Sequence, residues 1–145
     1  RIYSLSENKI RTPEEQLNAT ELELIKLAMW SSEPIPFDPM EIALHNAYTQ
    51  LIEKDERASF KMIHEYPLDG KPPMMTHIFE NSSGKQIIAA KGAPEALMNV
   101  SNLSATEIAK INDAIKTITS EGYRVLGVGK SEFTGSDFPN TQLSA

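Results

Sequence analysis

The sequence contains no cysteine, which excludes disulfide bonds and thiolate metal sites and suits a reducing compartment. No apolar run approaches the roughly 20 residues that span a bilayer, and the N-terminus lacks a signal-peptide layout. Basic residues are few: 14 Lys and Arg stand against 20 Asp and Glu, a formal net charge of −6. This balance argues against general nucleic-acid binding, but a few local cations could still hold a small phosphorylated ligand.

The patterns that mark common catalytic and metal centres are also missing. The three histidines fall on different predicted elements, and no serine has a G-x-S-x-G context. No H-x-x-x-H or H-E-x-x-H spacing occurs, so we predict no catalytic residue and no metal site, and we interpret His64 and His77 as ordinary strand residues. Neither G-x-x-x-x-G-K-[ST] nor G-x-G-x-x-G is present.

The 145 residues, 40% hydrophobic and 23% charged, fit one globular domain. Periodicity predicts a strand, two helices, a run of strands, two helices and a final strand. Asp38 with Glu41, and Ser104 with Glu107, have the spacing of capping boxes at helix starts. Strands joined by tight turns must be antiparallel, so we predict an α+β domain with helices packed on a mostly antiparallel sheet.

Two further expectations concern boundaries and strand faces. We assign residues 1–132 to the domain and the polar, turn-rich residues 133–145 to a tail or linker. Because the chain begins without Met, we expect a piece of a longer protein. Alternation in SFKMIHEYPL predicts a strand with Phe60 and Met62 on one face, and His64 and Tyr66 are further candidates for that face.

The stretch IIAAKGAPEAL ends an apolar strand with a lysine and a glycine. One interpretation is punctuation: Gly92 permits an unusual turn and Pro94 starts a helix. The other is a site where a flat, anionic ligand approaches the backbone beside Lys91. Local physics alone favours punctuation, and both interpretations stay open at this point.

Four segments, taken in order, resemble the nucleotide-binding domain of P-type cation-transporting ATPases. KGAPEAL at residues 91–97 resembles the signature of that domain. DPMEIAL at 38–44 is similar to its Asp-Pro-Thr-Glu-x-Ala-Leu motif, and GYRVLGVG at 122–129 is similar to Gly-x-Arg-x-Leu. YPLDGKPPMMTHIF at 66–79 resembles the aromatic-led segment before a lysine-containing turn. The family's phosphorylation motif, Asp-Lys-Thr-Gly-Thr, and its magnesium-organising motifs are absent.

The resemblance implies an adenine pocket. Tyr66 would stack on the base, Lys91 would line the pocket with its stem, and Gly92 would let the base approach the backbone. Glu41 would accept a hydrogen bond from the adenine amino group, directly or through water. Leu126 would form part of the wall.

The resemblance also implies cations for the phosphates. Lys71 would meet the phosphates, and Arg124 would reach the ribose or phosphates. Together with Lys91 they form a local group of cations in an acidic chain. A second register of the 66–79 segment aligns Met74 and Met75 differently, placing Leu68 at the aromatic position and Pro73 at the lysine position.

The family therefore implies an ATP-binding cytoplasmic domain of an integral membrane pump. It would position ATP (Mg-ATP in the parent protein) for phosphoryl transfer to an aspartate on a separate domain. Its partners would be ATP and the phosphorylation and actuator domains, with no nucleic acid and no membrane contact. This fragment alone would not be an enzyme, whereas the parent would be an ATP-hydrolysing cation translocase, with calcium as the base-rate expectation for the ion. The alternative is a stand-alone structural or protein-interaction domain without nucleotide binding.

Overall fold

Four antiparallel strands form the centre of the molecule, in a computed structural model that describes residues 1–133 and 135–142. The elements in chain order are β1 (Ile2–Ser4), β2 (Lys9–Arg11), α1 (Ala19–Trp30), α2 (Pro39–Leu51), a 3-10 turn (Arg57–Ser59), β3 (Phe60–Asp69), β4 (Met74–Asn81), β5 (Gln86–Gly92), α3 (Pro94–Val100), α4 (Ala105–Ser120) and β6 (Gly127–Ser131). This confirms the predicted α+β class. None of the helices in the described residues is long and apolar enough to cross a membrane.

The sheet is a meander in the order β3-β4-β5-β6, with every neighbouring pair antiparallel. β4 and β5 form a hairpin, and the Asn81 side chain accepts hydrogen bonds from the backbone of Ser83 and Lys85 in its turn. β1 pairs with β2 in a separate ribbon, and β2 was not predicted. The last strand, β6, starts only at Gly127.

Side-chain caps start three of the helices. Asn18 caps α1 and Ser104 caps α4, each with a complete capping box. At α2 the Asp38 carboxylate accepts a hydrogen bond from the backbone N–H of Glu41 at 2.9 Å. The Glu41 carboxylate does not return the bond to the cap, because it points inward to Lys91. The predicted capping box at Asp38 is therefore only half formed.

The main core lies between the sheet and α1, and α2 packs beside α1. Trp30 at the end of α1 meets the rings of Phe60 and Phe79, with centroids 5.5 and 4.7 Å apart. Other buried members of this cluster are Ile2, Ile25, Met29, Tyr48 and Ala89. We call the face of the sheet that packs against α1 the helix face.

A β-bulge changes the faces of β3. Met62 pairs with Phe79, but the next pair is His64 with Ile78, so Ile63 is extra and the alternation shifts by one residue. Met62 consequently packs against the core on the helix face, whereas His64 and Tyr66 lie on the opposite face. The expectation that these side chains share one face was wrong, because alternation holds only in an uninterrupted strand.

The opposite face is covered by α3 and by the described part of residues 133–142. Phe133 and Phe138 pack against a small cluster of Tyr66, Ile78 and Ile88. The Tyr66 hydroxyl donates a hydrogen bond to the carbonyl of Pro139. Thr134 and residues 143–145 of the predicted tail lie outside the described residues, and the boundary at residue 132 stays a prediction.

Gly92 and Gly129 lie on this second face of the sheet, and both pack against neighbouring parts of the chain. A Cβ atom on Gly92 would lie 2.3 Å from the carbonyl oxygen of Pro73, which is backbone and cannot rotate away. A Cβ atom on Gly129 would lie 3.1 Å from Cδ1 of Leu97, the end of a flexible side chain.

We therefore expect Gly92→Ala to lower the free energy of unfolding by about 2–3 kcal/mol, and Gly129→Ala by less than about 1 kcal/mol. Urea denaturation followed by circular dichroism measures both. Equal losses of stability in the two variants would contradict the close backbone contact between Gly92 and Pro73.

Candidate functional site

Most of the predicted site residues come together at one end of the sheet. Gly92 is paired with Met74 on one side and with Gly127 on the other, so β4 and β6 begin where β5 ends. The 70–73 turn that contains Lys71, and the segment before β6 that contains Arg124 and Leu126, flank the same end. The first turn of α2 brings Glu41 to it.

The centre of this site is a buried ion pair. Nζ of Lys91 donates to Oε1 of Glu41 at 2.6 Å and to Oγ of Ser32 at 3.3 Å. The two charged side chains are only 4% and 6% exposed. Two charges held so far from water require each other, since removing either one leaves the other desolvated. The pair thus ties the start of α2 to the end of β5.

The second oxygen of Glu41 has no partner among the residues that the structure describes. Within residues 1–133 and 135–142, Oε2 is buried and accepts no hydrogen bond. Buried carboxylate oxygens are almost always hydrogen-bonded, so an unpaired one marks a place where a donor is missing. An amino group of a ligand, or a water molecule, could supply that donor.

Tyr66 lies on the other face of the sheet from this pair. It is paired with Thr76, whereas Lys91 is paired with Met75, and neighbouring residues of a strand point to opposite faces. The Thr76 hydroxyl accordingly bonds to Gln142, on the face covered by residues 133–142. The structure therefore does not bring Tyr66 together with Glu41 and Lys91.

Leu68 falls in an irregular part of β3 opposite Met75. The pairs on either side are Tyr66 with Thr76 and Asp69 with Met74, so β3 has two residues where β4 has one. The Leu68 side chain is 62% exposed, and Met75 beside it is the cross-strand neighbour of Lys91. Leu68 is thus an exposed apolar side chain near the end of the sheet that carries Lys91.

The remaining predicted residues surround the ion pair loosely. Lys71 and Arg124 are exposed, and neither forms an ion pair with Glu41. Leu126 is half-buried directly before β6. The close backbone approach expected at Gly92 is made by the protein itself, because Pro73 and Met74 lie against it and the Pro73 carbonyl accepts a hydrogen bond from Ala93.

Two residues that the sequence analysis missed support the site. Ser32 is fully buried and donates from Oγ to the carbonyl of Ala28 at 2.8 Å while it contacts Lys91. His45 lies one helical turn after Glu41 on α2. The i, i+4 spacing of Glu41 and His45 was the only available sequence signal, because it puts both side chains on one helix face.

His45 is held in its neutral form. Its Nε2 lies 3.0 Å from the carbonyl of Glu33, to which it donates, and its Nδ1 accepts from the guanidinium of Arg57 at 3.2 Å. Burial lowers the pKa of His45 below its usual 6.5, and the nearby charge of Arg57 lowers it further, although the bond to Glu33 opposes the shift.

A cavity of about 240 Å³ adjoins the ion pair through Ser32 and His45, but neither Lys91 nor Glu41 lines it. Its other lining residues are Met29, Trp30, Pro34, Arg57, Phe60, Lys61, Met62 and Phe79. A wider groove of about 590 Å³ lies away from the site, at the other end of the sheet, beside the β4–β5 turn and residues 131–133, 135 and 136.

The ion pair gives a direct stability prediction. Lys91→Met should lower the free energy of unfolding by about 3–5 kcal/mol, because it leaves the Glu41 carboxylate buried without a counter-charge. The double variant Lys91→Met with Glu41→Leu should recover most of that loss. As a control, Lys130→Met breaks the exposed pair with Glu23 and should cost less than about 1 kcal/mol. A loss at Lys91 no larger than at Lys130 would contradict the burial of the pair.

The histidine gives a pH prediction. The folded state disfavours protonated His45, so stability should be constant above about pH 6.5 and fall as the pH drops through 6.5 towards the lower folded pKa. An NMR titration of the His45 ring should give a pKa below 6.5. Arg57→Gln should raise that pKa, since it keeps a donor for Nδ1 and removes the charge. A pKa at or above 6.5 in the parent chain would refute the assignment.

Comparisons with known proteins identify the family of this chain. The family described as P-type ATPase, cytoplasmic domain N, matches residues 35–145. The chain is 26% identical over 117 residues to the calcium-transporting ATPase of Bacillus subtilis (strain 168), covering 72% of this chain and 13% of that protein. It is 29% identical over 108 residues to the sodium/potassium exporting P-type ATPase cta3 of Schizosaccharomyces pombe (strain 972 / ATCC 24843), covering 69% of this chain and 10% of that protein.

The chain thus spans only about a tenth of the length of these relatives. The family match, in contrast, extends over residues 35–145 and so includes the ion pair and the whole four-stranded sheet. The resemblance indicated by the sequence segments is confirmed: the chain belongs to the P-type ATPases and corresponds to their cytoplasmic domain N.

Proposed function

We propose that this domain binds ATP at the sheet end around Lys91 and Glu41, and positions it for phosphoryl transfer to an aspartate on a separate domain of a longer cation pump. The observation that carries this proposal is the buried carboxylate oxygen Oε2 of Glu41, which has no hydrogen-bond partner beside a buried lysine. The site lacks a hydrogen-bond donor for Oε2 and contains a positive charge. ATP has an amino group that can donate to this oxygen, and its phosphates are negatively charged.

The ion pair of Glu41 and Lys91 would bind the adenine base. The 6-amino group of adenine donates to Oε2 of Glu41, while Oε1 keeps its bond to Lys91. The methylene stem of Lys91 offers an apolar contact to the ring, as lysine stems do when the head group is paired. Leu126 would close one side, and Gly92 would leave the strand end without a side chain.

The face of the base would meet aliphatic side chains. Leu68 is exposed and stands opposite Met75, the neighbour of Lys91, so both are suited to contact adenine on the helix face. Tyr66 remains the other candidate for stacking. It could reach a base at this site only if residues 133–142 left its face of the sheet and the strand rearranged.

The phosphates would extend outward to solvent. Lys71 and Arg124 are exposed cations on the segments that flank the same sheet end, so they can follow a flexible triphosphate. Mg²⁺ would accompany the phosphates, and the phosphorylation and actuator domains of the parent protein would complete the site. For the whole protein we propose ATP hydrolysis coupled to cation transport; calcium remains the expected ion, and the named relatives include both a calcium and a sodium/potassium ATPase.

A purely structural role for the pair is the competing proposal. The near-complete burial of both charged side chains would also serve to lock α2 onto β5 without any ligand. The two proposals differ in what happens when nucleotide is added, because a structural lock does not respond to it.

An NMR titration of the labelled chain with ATP, and separately with inorganic triphosphate, tests the proposal. We expect ATP to shift the backbone signals of Glu41, Leu68, Lys91 and Leu126, and triphosphate to affect chiefly Lys71 and Arg124. Glu41→Gln should weaken ATP binding by about tenfold and leave triphosphate binding unchanged, because the amide presents a donor to the adenine amino group. Lys110→Gln, on exposed α4, is the control.

Leu68→Ala and Tyr66→Leu separate the two stacking candidates, because leucine keeps an apolar side chain beside Ile78 and Ile88 but removes the aromatic ring. A weaker affinity in the first variant alone supports the helix-face site, whereas a weaker affinity in the second variant alone would place the base on the face of Tyr66. No shift at millimolar ATP, or the same shifts with triphosphate, would overturn nucleotide binding in favour of the structural lock.

A further inference from the structure

We propose a divalent metal site formed by Glu33, Glu65 and His77 on the helix face of the sheet. Each residue offers one ligand atom, and the three atoms lie within 4.8 Å of one another. Nε2 of His77 is 3.5 Å from Oε1 of Glu65 and 3.9 Å from Oε1 of Glu33. The proposal is independent of nucleotide binding, since it uses none of the residues assigned to ATP.

The orientation of His77 supports a ligand. Its ring is completely buried in the middle of β4, and Nδ1 lies 3.1 Å from the carbonyl of Trp30. A carbonyl can only accept, so Nδ1 carries a proton, and in the neutral ring Nε2 then presents its lone pair. Nε2 has no hydrogen-bond partner among the residues that the structure describes. A backbone carbonyl on one ring nitrogen and a free lone pair on the other is the usual arrangement of a metal-binding histidine.

The distances suit a small ion. A tetrahedral ion bound at about 2.0–2.1 Å from nitrogen and oxygen holds its ligand atoms about 3.3–3.4 Å apart. The separations of 3.5 and 3.9 Å need to shrink by about 0.1 to 0.6 Å, which rotation of the two carboxylate side chains can supply. The two carboxylates bring negative charge to the ring nitrogen, and a divalent cation would balance it.

The two carboxylates are positioned by the fold. Glu65 is the direct cross-strand partner of His77, so the bulge that reverses β3 also turns this side chain to the helix face. Glu33 lies in the connection between α1 and α2, where its carbonyl is held by His45 and the preceding Ser32 is held by Lys91. Three separate elements therefore converge, which is why no ligand spacing is visible in the sequence.

The site is open to solvent on the carboxylate side. The side chains of Glu33 and Glu65 are 36% and 38% exposed, so an ion can reach the buried nitrogen from the edge strand β3. One imidazole with two carboxylates favours a first-row ion such as Zn²⁺, Co²⁺ or Mn²⁺ over Mg²⁺ and Ca²⁺, which prefer all-oxygen sites. Water would fill the remaining coordination position.

Metal titrations of the complete chain, after treatment with chelator, test this site. We expect Zn²⁺ to bind at one ion per chain in excess Mg²⁺, and Co²⁺ to give visible d–d absorption. The ¹⁵N signal of Nε2 in His77 should shift on addition of Zn²⁺. Glu33→Gln and Glu65→Gln should each weaken Zn²⁺ binding by at least about tenfold. Glu53→Gln, at an exposed position two residues after α2, should leave the affinity unchanged and serves as the control.

Other outcomes would overturn the proposal. A chain that binds no Zn²⁺ at 1:1, or binds it equally well in both glutamine variants, has no metal site here. A proton on Nε2 is the alternative to a metal ion. If Nε2 of His77 is protonated at pH 7 and its ¹⁵N signal does not respond to Zn²⁺, the two carboxylates form ion pairs with the imidazolium ring and bind no metal. Glutamine variants that retain the near-ultraviolet dichroism of the parent show that lost binding is not lost folding.

Discussion

The contact between Lys91 and Glu41 connects two parts of this domain that lie 50 residues apart in the sequence. It joins the first turn of α2 to the last residues of β5, in an environment where neither charge can be solvated. Because the Glu41 side chain is needed there, it does not complete the capping box, and Asp38 alone caps the helix. A local stabilising interaction has thus been exchanged for a long-range one that also creates the candidate site.

The connection between α1 and α2 serves two sites at once. Ser32 contacts the buried lysine, and the next residue, Glu33, faces His77. His45, one turn along α2 from Glu41, holds the backbone of Glu33 from the other side. The nucleotide site and the metal site that we propose therefore share one structural support, although they share no ligand residue.

Local chemistry was readable from the sequence in most of the fold. The helix starts at Asp38 and Ser104 and the antiparallel pairing of strands joined by tight turns were predicted, since each depends on residues within a few positions of one another. The resemblance of four segments to the nucleotide-binding domain of P-type ATPases indicated the candidate site, because it assigned both Glu41 and Lys91 to one pocket. Periodicity alone failed at β3, where one extra residue near Ile63 moves Tyr66 to the face away from Lys91.

The sequence by itself determined the α+β class, the family and the starts of α2 and α4, because these follow from short-range patterns and conspicuous motifs. Only the tertiary structure decided which side chains meet. It paired Glu41 with Lys91, placed Tyr66 on the other face of the sheet, and assembled Glu33, Glu65 and His77 from three elements. The physical reason is that a bulge reverses strand faces and burial selects long-range charge partners, and neither effect has a fixed spacing along the chain.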